Sequence, residues 1–209
     1  MTNRLPRLLK QEKICIICEG AEEYEYLDTL KKLNVWSKEY LVDLENADGN
    51  GNIPARYQDK YQNGSYDVVL IFCDTDKKPY EQYEDIKRKI NEFHDKEIAS
   101  DLVVIFGNPC TMQIEIMHWT DIKLKSSAKK VNASVIESCT GVENYKGKAE
   151  QRKAIYQQIT QENYYQMLTR IEQLPEDDYI INSCNFGRFM KFLMSDNAQW
   201  IQDINSKIE

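Results

Sequence analysis

The carboxylates best placed to do chemistry in this chain are Glu19 and the pair Asp74 and Asp76. Each follows an apolar run that reads as a buried strand. Residues 13–18, rich in Ile, lead into Glu19-Gly20, and residues 67–73 (DVVLIFC) lead into Asp74-Thr75-Asp76. Carboxylates held close together are costly unless a cation or a proton neutralises them. Mg2+ or Mn2+ takes hard oxygen ligands of this kind, one or two from the protein and the rest from water. Glu23 lies one helical turn beyond Glu19, on the same face. Such a cluster suits one or two divalent ions and activation of water for phosphodiester cleavage. Each piece also has a plainer reading. A DxD after a strand is often an N-cap with a solvated neighbour. Glu22, Glu23 and Glu25 are also first-turn acids that a helix dipole favours.

Convergence decides between these readings, so the positioning elements matter. Residues 13–18, 67–73 and 101–106 are continuous apolar runs of strand length, as expected of strands covered on both faces. Residues 39–44 alternate loosely and read as a further strand. Residues 46–52 (NADGNGN) form a loop, and 53–61 a short helix with Pro54 in its first turn. Tyr26, Leu27, Leu30 and Leu33 mark one face of a helix after Glu19. Tyr83, Ile86, Ile90 and Phe93 mark another over about 79–96. Strands alternating with helices argue for an α/β fold, an open, mainly parallel sheet flanked by helices. In such a sheet the turns after the strands gather along one edge, where ligands bind. Glu19, Asp74, Asp76 and Asn108 all occupy turns of that kind. A helix is expected after Pro109 as far as Trp119, and a long one over 147–174, ended by Pro175. A last strand is expected over 179–184, then helices over 185–194 and 197–208.

The 209 residues carry a net charge of −7, with 42% apolar and 29% charged residues. That composition sustains a core without disulfides and gives no global attraction for nucleic acid. The stretch from Met1 to Lys13 has no long apolar segment, so no secretory signal is expected. No apolar run reaches the roughly 18 residues of a spanning helix. The expectation is a cytoplasmic protein with no membrane partner. Cys15 and Cys18 form a lone CxxC without a second pair or a histidine pair at metal spacing, and read as small buried hydrophobes.

The order Cys18-Glu19-Gly20, Glu23, Tyr26-Leu27, then a strand ending in Asp74-Thr75-Asp76, then Asn108-Pro109-Cys110 leading to His118-Trp119, resembles the RloB-like proteins, whose core is a TOPRIM domain. The resemblance spans roughly residues 13–119, and the segment from Asn182 to Leu193 is similar to that family's closing asparagine-rich turn and helix. It implies a TOPRIM-like metal-binding domain over 1–120 and a mainly helical part over 121–209 packed on it. It also implies a metal-dependent nuclease-type effector in phage defence, cleaving RNA or DNA, with a possible partner ATPase. Glu19 would be the acid/base or metal-linked group, and Asp74 and Asp76 would hold Mg2+ (or Mn2+). Glu23 would support the site, and Asn108 would orient the turn or a phosphate. Two departures stand out. Glu22 occupies a position where the family usually has threonine. Thr111-Met112 replaces an expected Phe-Glu, so a carboxylate is missing. Glu115, three residues on, is the candidate substitute, with Gln113 the weaker one. If neither substitutes, the chain is a degenerate module that senses or docks.

A nuclease must also hold a polyanion. Between residues 123 and 153 eight Lys/Arg face three Glu. Lys123, Lys125, Lys129, Lys130, Lys146, Lys148, Arg152 and Lys153 are the candidate phosphate contacts. Tyr145, Tyr156, Tyr164 and Tyr165 are candidate stacking platforms. The plain alternative is a solvated charged surface.

Overall fold

The structure is a computed structural model that describes residues 11–76 and 78–209. The expectation about the leading stretch falls largely on residues outside these. Four strands are parallel and neighbours in one sheet: β1 (Glu12–Cys18), β2 (Tyr40–Asn46), β3 (Val68–Asp74) and β4 (Val104–Asn108). A two-residue β5 (Ser183–Cys184) runs antiparallel to β4, and the order is β2-β1-β3-β4-β5. β1 lies between β2 and β3, and its residues Ile14 to Cys18 are all buried. That explains why its sequence is apolar without alternation: both faces carry helices. Cys15, Cys18 and Cys73 are free thiols buried on these strands.

Helices α1 (Ala21–Lys32), α2 (Ile53–Gln62) and α3 (Glu81–His94) connect the parallel strands. Each buries an apolar stripe, Tyr26, Leu27 and Leu30 in α1 and Tyr83, Ile86 and Ile90 in α3. Residues 101–103, expected as strand, belong instead to a short helix α4 (Ala99–Val103), and β4 runs on to Asn108. Asn91 Oδ1 accepts the Ser100 N–H at 2.7 Å, which turns the chain, and fully buried Ala99 and Val103 anchor it. A short apolar run does not by itself distinguish strand from buried helix.

After β4 come α5 (Met112–Ile116), α6 (Lys129–Thr140), α7 (Ala149–Tyr156), α8 (Gln161–Ile171), α9 (Phe186–Met194) and α10 (Gln199–Ile208). The single helix expected over 147–174 is two. Thr160 caps α8: its hydroxyl accepts the Asn163 N–H, and Asn163 Oδ1 accepts the Thr160 N–H. This reciprocal pair is the capping signal that the Gln- and Tyr-rich composition obscured. The last strand shrinks to two residues. Asn182 adopts φ +63, while Tyr179, Ile180 and Ile181 stay exposed. Along the rest of that sheet edge the Asn185 amide takes the place of a strand. Its Oδ1 accepts from Phe106 N–H at 2.8 Å and its Nδ2 donates to Val104 O at 2.7 Å.

One continuous core joins sheet and C-terminal helices, with Phe72 of β3 against Phe186 of α9. Among the described residues no helix is long and apolar enough to cross a membrane.

Within this core a polar chain ties α1 to α5 and α8. Asn163 Nδ2 donates to Gln158 O, and its Oδ1 accepts from Thr160, so the amide orientation is fixed. His118 Nδ1, 3.1 Å from that Oδ1, must therefore carry the proton, and Nε2 accepts from the Tyr26 hydroxyl at 2.9 Å. Burial holds the His118 imidazole down to about 4. Tyr26→Phe removes the only donor to a buried acceptor and should cost about 1–3 kcal/mol, read as a lower urea midpoint with an unchanged slope.

Candidate metal and phosphate site

The four parallel strands end on one edge, and the ends of β1 and β3 build a cleft. Glu19 follows β1, Glu23 sits in the first turn of α1, and Asp74 closes β3. Asp76 follows in a left-handed conformation, φ +58, which folds it back to the same cleft. The cleft has a volume of about 330 Å3, and all four carboxylates line it. Residues from the C-terminal helices form the facing wall: Lys129, Asn132, Tyr145 and Arg152.

The carboxylates are positioned by hydrogen bonds. Glu19 Oε2 accepts the Asp74 N–H at 2.9 Å, linking the ends of β1 and β3. Glu23 Oε2 accepts the Gly20 N–H at 3.0 Å as half of a capping box. Asp74 Oδ1 accepts both the N–H and the hydroxyl of Thr111, at 2.5 and 2.6 Å, while Oδ2 has no such bond among the described residues. Thr111 is a site residue that the sequence did not mark. Its signal lay in a hydroxyl just before α5, at the tight turn after Pro109.

Crowding like charges shifts their protonation. Burial, then the Glu23 charge, push Glu19 up to about 8 against the opposing Asp74 N–H. Asp74 is raised by burial and then by Glu23 and Glu19. Burial and Glu22 raise Glu23. Asp76, open to solvent at the rim, is raised by partial desolvation, with Lys129 pulling the other way.

Comparison of the chain with protein-family models, with curated proteins and with solved structures finds no match. The reading of the site therefore rests on its geometry and on the sequence.

Other candidates lie elsewhere. Asn108 is buried, and its Nδ2 donates to the Tyr80 hydroxyl at 3.0 Å and to Asp178 O at 2.7 Å, fastening the turn before α3. It does not line the cleft. Glu115 is fully buried and also outside the cleft lining; its Oε1 accepts from the Tyr156 hydroxyl at 2.6 Å, and its Oε2 has no partner. Gln113 bonds to Ile122 O and the Leu124 N–H. Met112 is the α5 residue that faces the cleft. The five-residue helix is buried on every side, so a three-residue shift along it does not return a carboxylate to the same place.

The basic segment divides. Lys129 pairs with Glu22, and Arg152 grips Glu25 through Nε and Nη2, each at 2.8 Å. Lys148 makes a long pair with Glu150. Lys123, Lys125, Lys130, Lys146 and Lys153 are exposed, with no ion pair among the described residues. Tyr145, Tyr156 and Tyr164 are buried; of the four tyrosines only Tyr165 is exposed. Glu22, which the sequence marked as a first-turn acid and as a departure from the resembled family, is where the helical part meets α1. It pairs with Lys129, its Oε1 accepts from the Tyr145 hydroxyl at 3.1 Å, and its carbonyl accepts from Tyr156.

As they stand, no three His, Cys, Asp or Glu side chains among the described residues are gathered tightly enough to grip a metal. The donor set nonetheless fits a hard cation. It is all carboxylate oxygen, burial and neighbouring carboxylates raise Glu19, Glu23 and Asp74, and Asp74 keeps one oxygen uncommitted among the described residues.

Proposed function

We propose that the chain is a Mg2+- or Mn2+-dependent nuclease that cleaves phosphodiester bonds of RNA or DNA at this cleft. The observation that carries the reading is the meeting of Glu19, Glu23, Asp74 and Asp76 in one cleft opposite Lys129 and Arg152. The resemblance to the RloB-like proteins and their TOPRIM core supports it, and with it a role in phage defence beside a partner ATPase. Asp74 and Asp76, with Glu19, would hold the ion, which supplies positive charge and lowers the pKa of water. Glu19 would also act as general acid/base. Thr111 holds Asp74 in place. Lys129 and Arg152 line the side where a phosphate would lie, and the exposed lysines extend that surface along the polymer.

A second reading has its own observation. Met112, rather than a carboxylate, faces the cleft, which would make the chain a non-cleaving module that docks with an ATPase. Calorimetry with Mg2+ and Mn2+, on wild type and on the Asp74→Asn/Asp76→Asn double variant, separates the two alongside a cleavage assay on single- and double-stranded RNA and DNA. Metal binding and cleavage that the folded double variant loses are the expected result. Cleavage at the wild-type rate in the double variant would sink the nuclease reading. Metal binding without cleavage of any substrate favours the docking module.

A further inference from the structure

We propose that Lys129 is a tethered counter-cation that occupies the acidic cleft before the metal and that the divalent ion displaces. This rests on the reading of the cleft as a metal site. Lys129 opens α6, on the wall facing the carboxylates, and its ammonium bonds Glu22 while lining the same cleft as Glu19, Glu23, Asp74 and Asp76. Its charge is felt at Asp76, Glu115 and Glu23 as well as at Glu22.

A second observation shows that the place for this side chain is built. Gly147 adopts φ +72, and a Cβ there would lie 2.8 Å from Lys129 Cδ and closer still to Nζ. The missing side chain is the notch in which the lysine tail lies. Arg152 closes the notch, its Nη1 donating to Gly147 O at 2.5 Å. The lysine side chain remains 44% exposed, so it has room to leave.

A cation in that place has two opposite effects. It offsets the mutual repulsion of the carboxylates in the metal-free protein, and it repels an arriving ion. Once displaced, it stands on the wall of the cleft, free to meet a phosphate oxygen. A residue that merely packed α6 against α1 would lose both stability and metal affinity on substitution. A competing cation would lose stability and gain affinity.

The test is Mn2+ binding by calorimetry, with thermal melts in the presence and absence of metal, on full-length wild type, Lys129→Gln, Lys129→Arg and Gly147→Ala. Lys129→Gln is expected to melt lower without metal and to bind Mn2+ at least about 5-fold tighter, the bulk-water interaction of two unit charges about 4 Å apart and so a lower bound for a divalent ion. Gly147→Ala keeps the charge but crowds the Lys129 side chain out of its place, with backbone strain at φ +72 that lowers its melting temperature, and should shift affinity the same way. Lys129→Arg should bind as wild type does. Wild-type binding with equal or weaker affinity in Lys129→Gln overturns the proposal and leaves the metal site standing. No binding by any of the four folded proteins overturns the metal reading and this proposal together.

Discussion

On the proposed nuclease reading, Glu19→Gln is expected to reduce cleavage by about 10^2- to 10^4-fold, the range for losing a general acid/base, and to stabilise the protein without added metal at neutral and higher pH. The glutamine Oε1 can still accept the Asp74 N–H, so the link between β1 and β3 survives. The stability effect follows from the protonation of Glu19. Its folded-state pKa lies near 8, above the ordinary 4.5 of an unfolded chain, because of burial and the neighbouring Glu23. Between those values the folded state binds more protons than the unfolded state. Stability therefore falls as pH rises from 4.5 to 8, and the deficit is complete above 8. Its size is at most on the order of 5 kcal/mol. Glutamine carries no titrating proton, so the variant should lack this slope. Denaturant midpoints at pH 5, 7 and 8.5, without metal, give the comparison. Equal pH slopes in wild type and variant would remove Glu19 from the charged cluster.

The buried His118 acts in the opposite sense. Its folded pKa near 4 lies below the ordinary 6.5, so stability is intact above 6.5 and is lost as pH falls towards 4. The metal-free protein should accordingly be most stable at mildly acidic pH. On the proposed metal reading, added Mg2+ should move that optimum upward by neutralising the carboxylates.

Tyr156→Phe is the second large effect. It leaves the fully buried Glu115 with both oxygens unpaired, because Oε2 already lacks a partner. The same hydroxyl also lies 3.2 Å from Glu22 O, so its one proton is shared between the two acceptors. The expected loss is about 1–3 kcal/mol for a buried polar group left unsatisfied. Because burial raises the Glu115 pKa, the folded state retains its proton in wild type and variant alike, so the loss should be nearly independent of pH around neutrality. Adding Glu115→Met should recover most of it, since removing both partners of a buried pair is far cheaper than removing one. Urea unfolding of the two variants beside wild type measures both steps. A Tyr156→Phe loss below about 0.5 kcal/mol would mean that Glu115 finds another partner.

The sheet was readable because β1 and β3 are covered on both faces, and such strands are continuous apolar runs that few other elements imitate. The acidic edge followed from that, since parallel strands bring their C-terminal turns together wherever they lie in the chain. What could not be read was the facing wall. Whether Lys129 or Lys130 reaches the cleft depends on where α6 docks, and no periodicity in residues 120–148 encodes that. Glu115 was misplaced for a related reason. Helical spacing relates two side chains to one another, but not the helix to its surroundings. Tyr145 and Tyr156 read as exposed platforms by residue type, yet their hydroxyls serve Glu22 and Glu115 inside the fold.

The joining of Glu22 and Glu25 to Lys129, Tyr145 and Arg152 also orders events in time. A ribosome adds roughly 5–20 residues per second, so Asp74 emerges several seconds before Arg152. During that interval the carboxylates have neither the facing wall nor its cations. The nascent chain therefore meets magnesium with a half-built cleft, and residues 129–156 finish it last.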